Sequence, residues 1–137
     1  AEKICFEITE TTAVTNLSAA KHFISTLRDL GCSFALDDFG AGMSSFTYLK
    51  NLDVDYVKID GSFVRNIVHD PIDHATVTAI NNIAHSMGKQ TVAEFVVDNA
   101  TAAVLRDLKV DFGQGFALDK PKPLAHRVQW RVKLASA

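Results

Sequence analysis

Acidic side chains stand at the ends of four apolar runs in this chain. The runs and their acids are KICFEITE with Glu7 and Glu10, SFALDDFG with Asp37 and Asp38, YVKID with Asp60, and QTVAEF with Glu94. In a parallel sheet the C-terminal ends of the strands meet at one rim, where carboxylates from several strands form an oxygen-rich site for hard divalent cations. Lys58 lies among these acids and could orient an attacking water or stabilise charge on a phosphate. The sequence therefore predicts a clustered functional site, against the alternative of a charged rim without chemistry.

The segment LDDFGAGMSS is the most specific of these motifs. Adjacent aspartates at a strand end point to opposite sides unless the chain bends, and Gly40 and Gly42 permit a bend. Asp37 or Asp38 can then bridge two cations while the other ligates one. The alternative is that both aspartates only cap the following helix. The glycines do not form a dinucleotide-binding fingerprint, because a third glycine in register is missing.

The other candidate residues follow the same strand-end pattern. Lys58 and Asp60 lie on one face of a strand because side chains alternate, and a lysine among apolar residues is costly to bury unless it is paired. A structural salt bridge to a rim acid is the alternative role for Lys58. Glu94 is predicted to be a metal ligand or a general base, and Gln114, between two glycines, is a plausible ligand contact.

The elements that must position these residues alternate between strands and helices. Strands are predicted over residues 4–8, 33–37, 56–60, 90–94 and 111–116. Helices are predicted from a cap at Asn16 or Ser18 to a stop at Gly31, near 44–51, from a cap at Asp73 to Gly88, from Asn99 to about Leu108, and from Leu124 to the end. This alternation indicates an α/β domain with parallel strands, although periodicity alone does not separate a doubly wound sheet from a barrel.

The number of βα units indicates that the chain is one part of a barrel. About five βα units are present, whereas a closed barrel needs eight and about 250 residues. We therefore expect residues 1–137 to form the C-terminal portion of a single domain, a partial (β/α)8 TIM-like barrel whose N-terminal strands are missing. Its open sheet edge would favour a homodimer or another pairing through exposed edges.

Composition limits the binding partners and the cellular location that can be expected for the chain. The net charge of −2 gives no long-range attraction to DNA or to an anionic membrane. No apolar run approaches the ~20 residues that a membrane span needs, and no export signal is seen. Cys5 and Cys32 are too few for a disulfide framework, so reduced thiols and a cytoplasmic location are expected.

Taken together and in order, these motifs resemble the C-terminal part of an EAL domain, the cyclic di-GMP phosphodiesterase family. The resemblance runs through FEITE, ALDDFGAGMSSFTYLKNLDVDYVKID, GKQTVAEF and DFGQGFALDKPKP. It implies a (β/α)8-like barrel with one antiparallel strand. It also implies an enzyme that hydrolyses one phosphodiester of cyclic di-GMP to the linear dinucleotide, using Mg²⁺ or Mn²⁺ at a two-metal site.

The resemblance also implies a role for each matching residue. Glu7 would ligate the first metal, Asp37 would bridge both metals, and Asp38 would serve the second. Glu94 would be a second-metal ligand and is also cast as the base, while Lys58 would hold the hydrolytic water. The remaining implied roles are loop stabilisation and coupling to dimerisation by Glu10, and substrate binding by Gln114, Asp60 and Pro121.

Departures from the family pattern leave alternatives open. The Glu-Ala-Leu signature and the asparagine ligand would lie upstream of Ala1, so we expect negligible turnover by this chain alone and a sensory or cyclase domain upstream in its parent. Val97 stands where the family has a second glutamate, which favours the alternative of a non-catalytic cyclic di-GMP receptor, and Phe95 replaces a common glycine. A third alternative is a metabolic barrel enzyme acting on a sugar phosphate.

Overall fold

The computed structural model describes residues 1–42, 46–123 and 132–133 of the chain. Within these residues the strands are β1 (Cys5–Thr9), β2 (Ser33–Phe39), β3 (Tyr56–Ile59), β4 (Gln90–Ala93), β5 (Phe112–Gly113) and β6 (Val132–Lys133). The helices are α1 (Glu10–Thr15), α2 (Leu17–Arg28), α3 (Gly61–Val64), α4 (Pro71–Ser86) and α5 (Asn99–Asp107), with a short 3₁₀ turn at Leu49–Asn51. No helix in this described part is long and apolar enough to span a membrane.

The strands form one sheet in the order of the chain, from β1 to β6. The first five strands are parallel, and β6 pairs with β5 in the antiparallel direction. Parallel neighbours joined by helices are the arrangement of a (β/α)8 barrel, and the described strands make part of one. This confirms the predicted fold class, a partial TIM-like barrel.

The core lies between the sheet and the helices that cover it. Phe34, Leu36 and Val57 on the central strands are completely buried. The strands read as nearly continuous apolar runs because a parallel sheet is covered on both faces. Polar side chains therefore enter the sheet mainly at its C-terminal rim, where their groups can be paired.

Side-chain caps fix where the helices begin. Asp70, rather than the predicted Asp73, caps α4, because Pro71 occupies the first helical position and needs no hydrogen-bond partner for its nitrogen. Asn16 caps α2 as predicted, and Asp98 caps α5 one residue before the predicted Asn99. These caps satisfy backbone N–H groups that the helix itself leaves without acceptors.

Two predicted helices differ from the structure. In the predicted segment 44–51, the described residues form only the 3₁₀ turn Leu49–Asn51, and residues 44–45 lie outside the described part. The predicted C-terminal helix is wrong at Val132–Lys133, which form β6, while residues 124–131 and 134–137 lie outside the described part. The edge of β5 offers unpaired backbone groups that a strand can satisfy and a helix cannot.

Candidate metal centre

Lys58 is the centre of the site at the C-terminal rim of the sheet. It lies in β3, where it is 4% exposed, and its Nζ contacts carboxylates from three other strands or strand ends. The distances from Nζ are 3.0 Å to Glu7 Oε2, 2.6 Å to Asp37 Oδ1 and 2.9 Å to Glu94 Oε1. An ammonium group buried among apolar neighbours requires such partners, since an unpaired charge there would be costly.

These contacts and burial shift the pKa values of Lys58 and Glu94. Burial disfavours the charged form of Lys58, but contacts with Asp37, Glu94 and Glu7 outweigh burial and raise its pKa above the usual value. Burial raises the pKa of Glu94, an effect that Lys58 opposes and that the nearby Asp37 reinforces. Lys58 therefore stays protonated at neutral pH, whereas Glu94 binds a proton more readily than an ordinary glutamate does.

Asp37, Asp38 and Glu94 form a group that could hold a cation. Each offers a carboxylate oxygen, and these oxygens lie within 4.8 Å of one another. Asp38 has a backbone φ of 55°, in the left-handed region, which aspartate tolerates better than most residues do. Burial and the neighbouring charges of Asp37 and Asp60 raise the pKa of Asp38. The predicted bend between the two aspartates therefore occurs at Asp38 itself, before Gly40.

Asp37 brings a buried oxygen to this group. Its Oδ1 is ion-paired with Lys58 Nζ at 2.6 Å and has no other hydrogen-bond donor among the described residues. Because a carboxylate oxygen can accept more than one partner, Oδ1 could also ligate a cation. All-oxygen carboxylate donors are the ligands preferred by Mg²⁺ and Mn²⁺. The chemistry of the donor set therefore suits either ion.

Glu7 joins the site from β1, beside Lys58. Its side chain is 45% exposed and donates no ligand atom to the group of three carboxylates. Glu7 forms an ion pair with Lys58, whose Nζ donates a hydrogen bond to Oε2. Glu7, Asp37, Asp38, Lys58 and Glu94 are thus brought to one rim, as the strand ends indicated.

Glu10 lies deeper than a loop residue would. It is the first residue of α1, is 4% exposed, and accepts hydrogen bonds from Gly40 N–H at 3.0 Å and from the Tyr48 hydroxyl. These bonds connect α1 to the loop that follows Asp38. Tyr48 was not predicted from the sequence, and its pKa is raised by burial and by Glu10. The available signal was a tyrosine hydroxyl next to the apolar Leu49.

The structure places the three predicted substrate-binding residues on different segments of the chain. Asp60 caps α3 by accepting a hydrogen bond from Ser62 N–H at 2.7 Å. Gln114 follows β5 with an exposed side chain, and its backbone N–H donates to Ala93 O. Pro121 is exposed further along the chain.

Comparisons with known proteins agree with this geometry. The family described as EAL domain matches residues 1–121. The cyclic di-GMP phosphodiesterase PdeB of Shewanella oneidensis is 46% identical over 133 residues, which are 96% of this chain and 16% of that protein. The cyclic di-GMP phosphodiesterase PdeF of Escherichia coli is 40% identical over 122 residues, 89% of this chain and 16% of that protein.

A solved structure extends the likeness to three dimensions. The PaMucR phosphodiesterase in its complex with c-di-GMP superposes with a TM-score of 0.85 at 35% identity, covering 90% of this chain and 50% of that one. The chain therefore spans 16% of the length of these two curated relatives and half of the solved domain.

Proposed function

Because the chain belongs to the EAL domain family, we propose that it supplies the C-terminal part of a barrel that hydrolyses cyclic di-GMP. The reaction opens one phosphodiester and gives the linear dinucleotide. Relatives named as cyclic di-GMP phosphodiesterases and a neighbour solved with c-di-GMP support this substrate. One observation carries the proposal. A buried lysine lies within 3.0 Å of three carboxylates from separate strands, at the rim where barrel enzymes place their chemistry.

The metal in this proposal is Mg²⁺ or Mn²⁺. Glu7, Asp37, Asp38 and Glu94 would hold it: Glu7 would serve a first ion, Asp38 with Glu94 would serve a second, and Asp37 would be shared by both. Bound divalent ions supply Lewis-acid stabilisation of the phosphate and an activated water at neutral pH. The grouping of Asp37, Asp38 and Glu94 oxygens within 4.8 Å and the burial of Asp37 Oδ1 support this set.

Lys58 and Glu94 have different roles in activating the water. The raised pKa of Lys58 keeps its Nζ a hydrogen-bond donor, so it can hold the hydrolytic water but cannot take a proton from it. Glu94 Oε1 lies 2.9 Å from Nζ and is a carboxylate oxygen, so it can accept a proton where the ammonium group cannot. We assign Glu94 as the general base and Lys58 as the group that orients the water.

The remaining residues have two roles in this proposal, stabilising the loop after Asp38 and binding the substrate. Glu10 stabilises the loop after Asp38 through its bonds to Gly40 and Tyr48. Gln114 and Asp60 line the substrate pocket beside the rim, with Pro121 at its boundary.

A second candidate function is a receptor that binds cyclic di-GMP without cleaving it. Val97 favours it, because this side chain stands where the family has a second glutamate, is 51% exposed, and offers no ligand atom. Loss of that carboxylate would weaken the second metal or its water network while leaving a binding pocket.

The proposal extends to assembly and location. The chain covers half of the solved relative, so in this proposal the remaining strands of the barrel come from further sequence of the parent protein. The barrel pairs with a second copy through an exposed edge or the loop held by Glu10. A sensory or cyclase domain accompanies it in the parent protein. Cys5 and Cys32 are not joined in a disulfide, which is consistent with a reducing cytoplasm, also for the cytoplasmic part of a membrane-anchored protein.

Hydrolysis of cyclic di-GMP by an intact barrel containing this chain tests the function. With Mg²⁺ or Mn²⁺ we expect linear dinucleotide by chromatography, no product with a chelator, and at least about a hundredfold loss in Glu94→Gln, as for removal of a general base. Residues 1–137 alone should give negligible product. Tight binding without product by the unmodified barrel would establish the receptor instead, and absence of binding would refute both functions.

A further inference from the structure

The turn directly after Glu94 is held in a strained conformation. Phe95 has a backbone φ of 51°, in the left-handed region that a bulky side chain seldom adopts. A glycine, common here in the family, would adopt this φ without strain. The ring of Phe95 is 51% exposed, so burial in the core does not compensate for the strain. Strain of this kind persists only where the surrounding structure imposes it, and it is concentrated at functional sites.

The Phe95 side chain packs against Gly61, the first residue of α3, and Arg65, the C-cap of that helix. A Cβ atom at Gly61 would lie 2.1 Å from ring Cδ2, so the ring rests directly on the backbone where α3 begins. Arg65 covers the ring, with its guanidinium carbon 4.2 Å from the ring centroid, a cation–π contact. Gly61 follows β3 by two residues, and β3 carries Lys58. The ring therefore connects the end of the Glu94 strand to the end of the Lys58 strand.

The backbone after Phe95 is fixed on its other side by the segment following β5. Val96 N–H donates to Gln114 O at 3.0 Å, and Ala117 N–H donates to Val96 O at 3.0 Å. A Cβ atom at Gly115 would lie 2.3 Å from Val96 N and O, so the two backbones are in direct contact. The residues after Glu94 are thus restrained both toward β3 and toward β5.

We propose that Arg65 and Phe95 form a clamp that positions the Glu94 carboxylate beside Lys58 for metal binding and proton transfer. The inference rests on the proposed function of Glu94. Arg65 and Phe95 are positioning residues, since neither lies among the charged groups of the site. The clamp turns the chain sharply after β4 and restricts the backbone of Glu94, whose Oε1 lies 2.9 Å from Lys58 Nζ. Restricting a ligand in its binding orientation lowers the cost of ordering it when the ion binds.

The test compares Phe95→Leu, Arg65→Met and the double variant with the unmodified intact barrel. The readouts are the Mn²⁺ dissociation constant from titration calorimetry, kcat and KM for cyclic di-GMP, and the urea midpoint of unfolding. Phe116→Leu is the matched control, because Phe116 is also exposed and lies under a cation, with Lys120 Nζ 5.7 Å from its centroid. Both single substitutions are at exposed residues, and Arg65→Met retains the aliphatic stem over the ring.

We expect each single variant to weaken Mn²⁺ binding about three- to fivefold, the size of an exposed cation–π contact, with a similar fall in kcat and little change in KM. The double variant should be little worse than either single one, because the two residues act as a unit. Phe116→Leu should retain the affinity of the unmodified protein.

The outcomes separate this proposal from the proposed function. Unmodified Mn²⁺ affinity in Arg65→Met and Phe95→Leu would overturn the clamp even if their unfolding midpoints fell, since that pattern describes a structural role alone. A barrel that binds Mn²⁺ but does not hydrolyse cyclic di-GMP would contradict the phosphodiesterase function while the affinities still decide the clamp. An unmodified barrel without Mn²⁺ affinity would overturn both.

Discussion

Replacing Lys58 with methionine should make the stability of the protein depend on a divalent cation. Methionine keeps the approximate length and the apolar stem of lysine but removes the ammonium group that lies within 3.0 Å of Glu7, Asp37 and Glu94. The carboxylates then repel one another with no positive charge between them. A bound Mn²⁺ would supply that charge, so the variant should be unstable with a chelator and largely restored by Mn²⁺.

The magnitude follows from the burial of the partners. Breaking a buried ion pair by removing one member costs about 3–5 kcal/mol. Glu94 and Asp37 side chains are 13% and 20% exposed, whereas Glu7 is 45% exposed and contributes little. We therefore expect Lys58→Met to lose about 3 kcal/mol of unfolding free energy with a chelator, at the lower end of that range. At a Mn²⁺ concentration a hundredfold above the dissociation constant of the variant, binding adds about 2.7 kcal/mol to the variant. At the same concentration the unmodified protein gains less, because its Lys58 ammonium group repels the cation and weakens binding.

Lys89 provides a matched control for the assay, which is urea unfolding of the intact barrel with chelator and with Mn²⁺. Lys89 is also a partly buried lysine, with its pKa lowered by burial, but its Nζ donates to Leu52 O and Val54 O at 2.9 and 3.0 Å. Lys89→Met should lose about 1–3 kcal/mol from the unsatisfied carbonyls. Its gain from Mn²⁺ should equal that of the unmodified protein. The reasoning would be refuted by a Lys58→Met variant whose gain from Mn²⁺ is no larger than that of Lys89→Met.

Three further substitutions test other parts of the account by urea unfolding. Tyr48→Phe removes the hydroxyl that donates to the buried Glu10 and should cost about 1–3 kcal/mol; an unchanged midpoint would mean that this bond does not hold the loop. Gly115→Ala places a Cβ 2.3 Å from Val96 N and O, so overpacking should lower the unfolding free energy by about 3 kcal/mol. Gly88→Ala, with φ 71° but open space around it, should lower the unfolding free energy by only about 1 kcal/mol. Equal losses would contradict the close approach of Gly115 to Val96. Burial would raise the pKa of Asp111, but hydrogen bonds from Thr91 and His85 outweigh burial and lower that pKa. Ionised Asp111 therefore stabilises the fold at pH values above the ordinary carboxyl pKa of about 3.9. This stabilisation is lost as the pH falls through the lower pKa of the folded state. Asp111→Asn should therefore unfold with a shallower pH dependence between about pH 2 and pH 5, and an unchanged dependence would show that another group titrates there.

The strand ends carried most of what the sequence could predict. The alternation of apolar runs with helical stripes was sufficient for the parallel order β1 to β5, because each strand is buried on both faces and reads as an apolar run. It also placed Glu7, Asp37, Lys58 and Glu94 on one rim, where three ion pairs join them. The cost of burying a lysine among apolar residues predicted a partner for Lys58, and the structure shows three carboxylate partners.

Features set by contacts between distant segments could not be predicted from local patterns. The bond from Tyr48 to Glu10 joins residues 38 positions apart, and only the folded chain shows that α1 begins at a buried acid. The strained turn at Phe95 needs a glycine at position 61, because a Cβ there would collide with the Phe95 ring. Nothing in the sequence around Gly61 indicates this contact. Asp70 displaced Asp73 as the α4 cap because Pro71 is tolerated at the first helical position, a local rule that the sequence did contain.

Anomalous diffraction from crystals of the intact barrel grown with Mn²⁺ tests the central claim most directly. The account predicts an anomalous peak bonded at about 2.1 Å to carboxylate oxygens of Asp37, Asp38 and Glu94, with Lys58 beside them. A peak bound by other residues, or none at this rim while Lys58 still pairs with the three carboxylates, would contradict it.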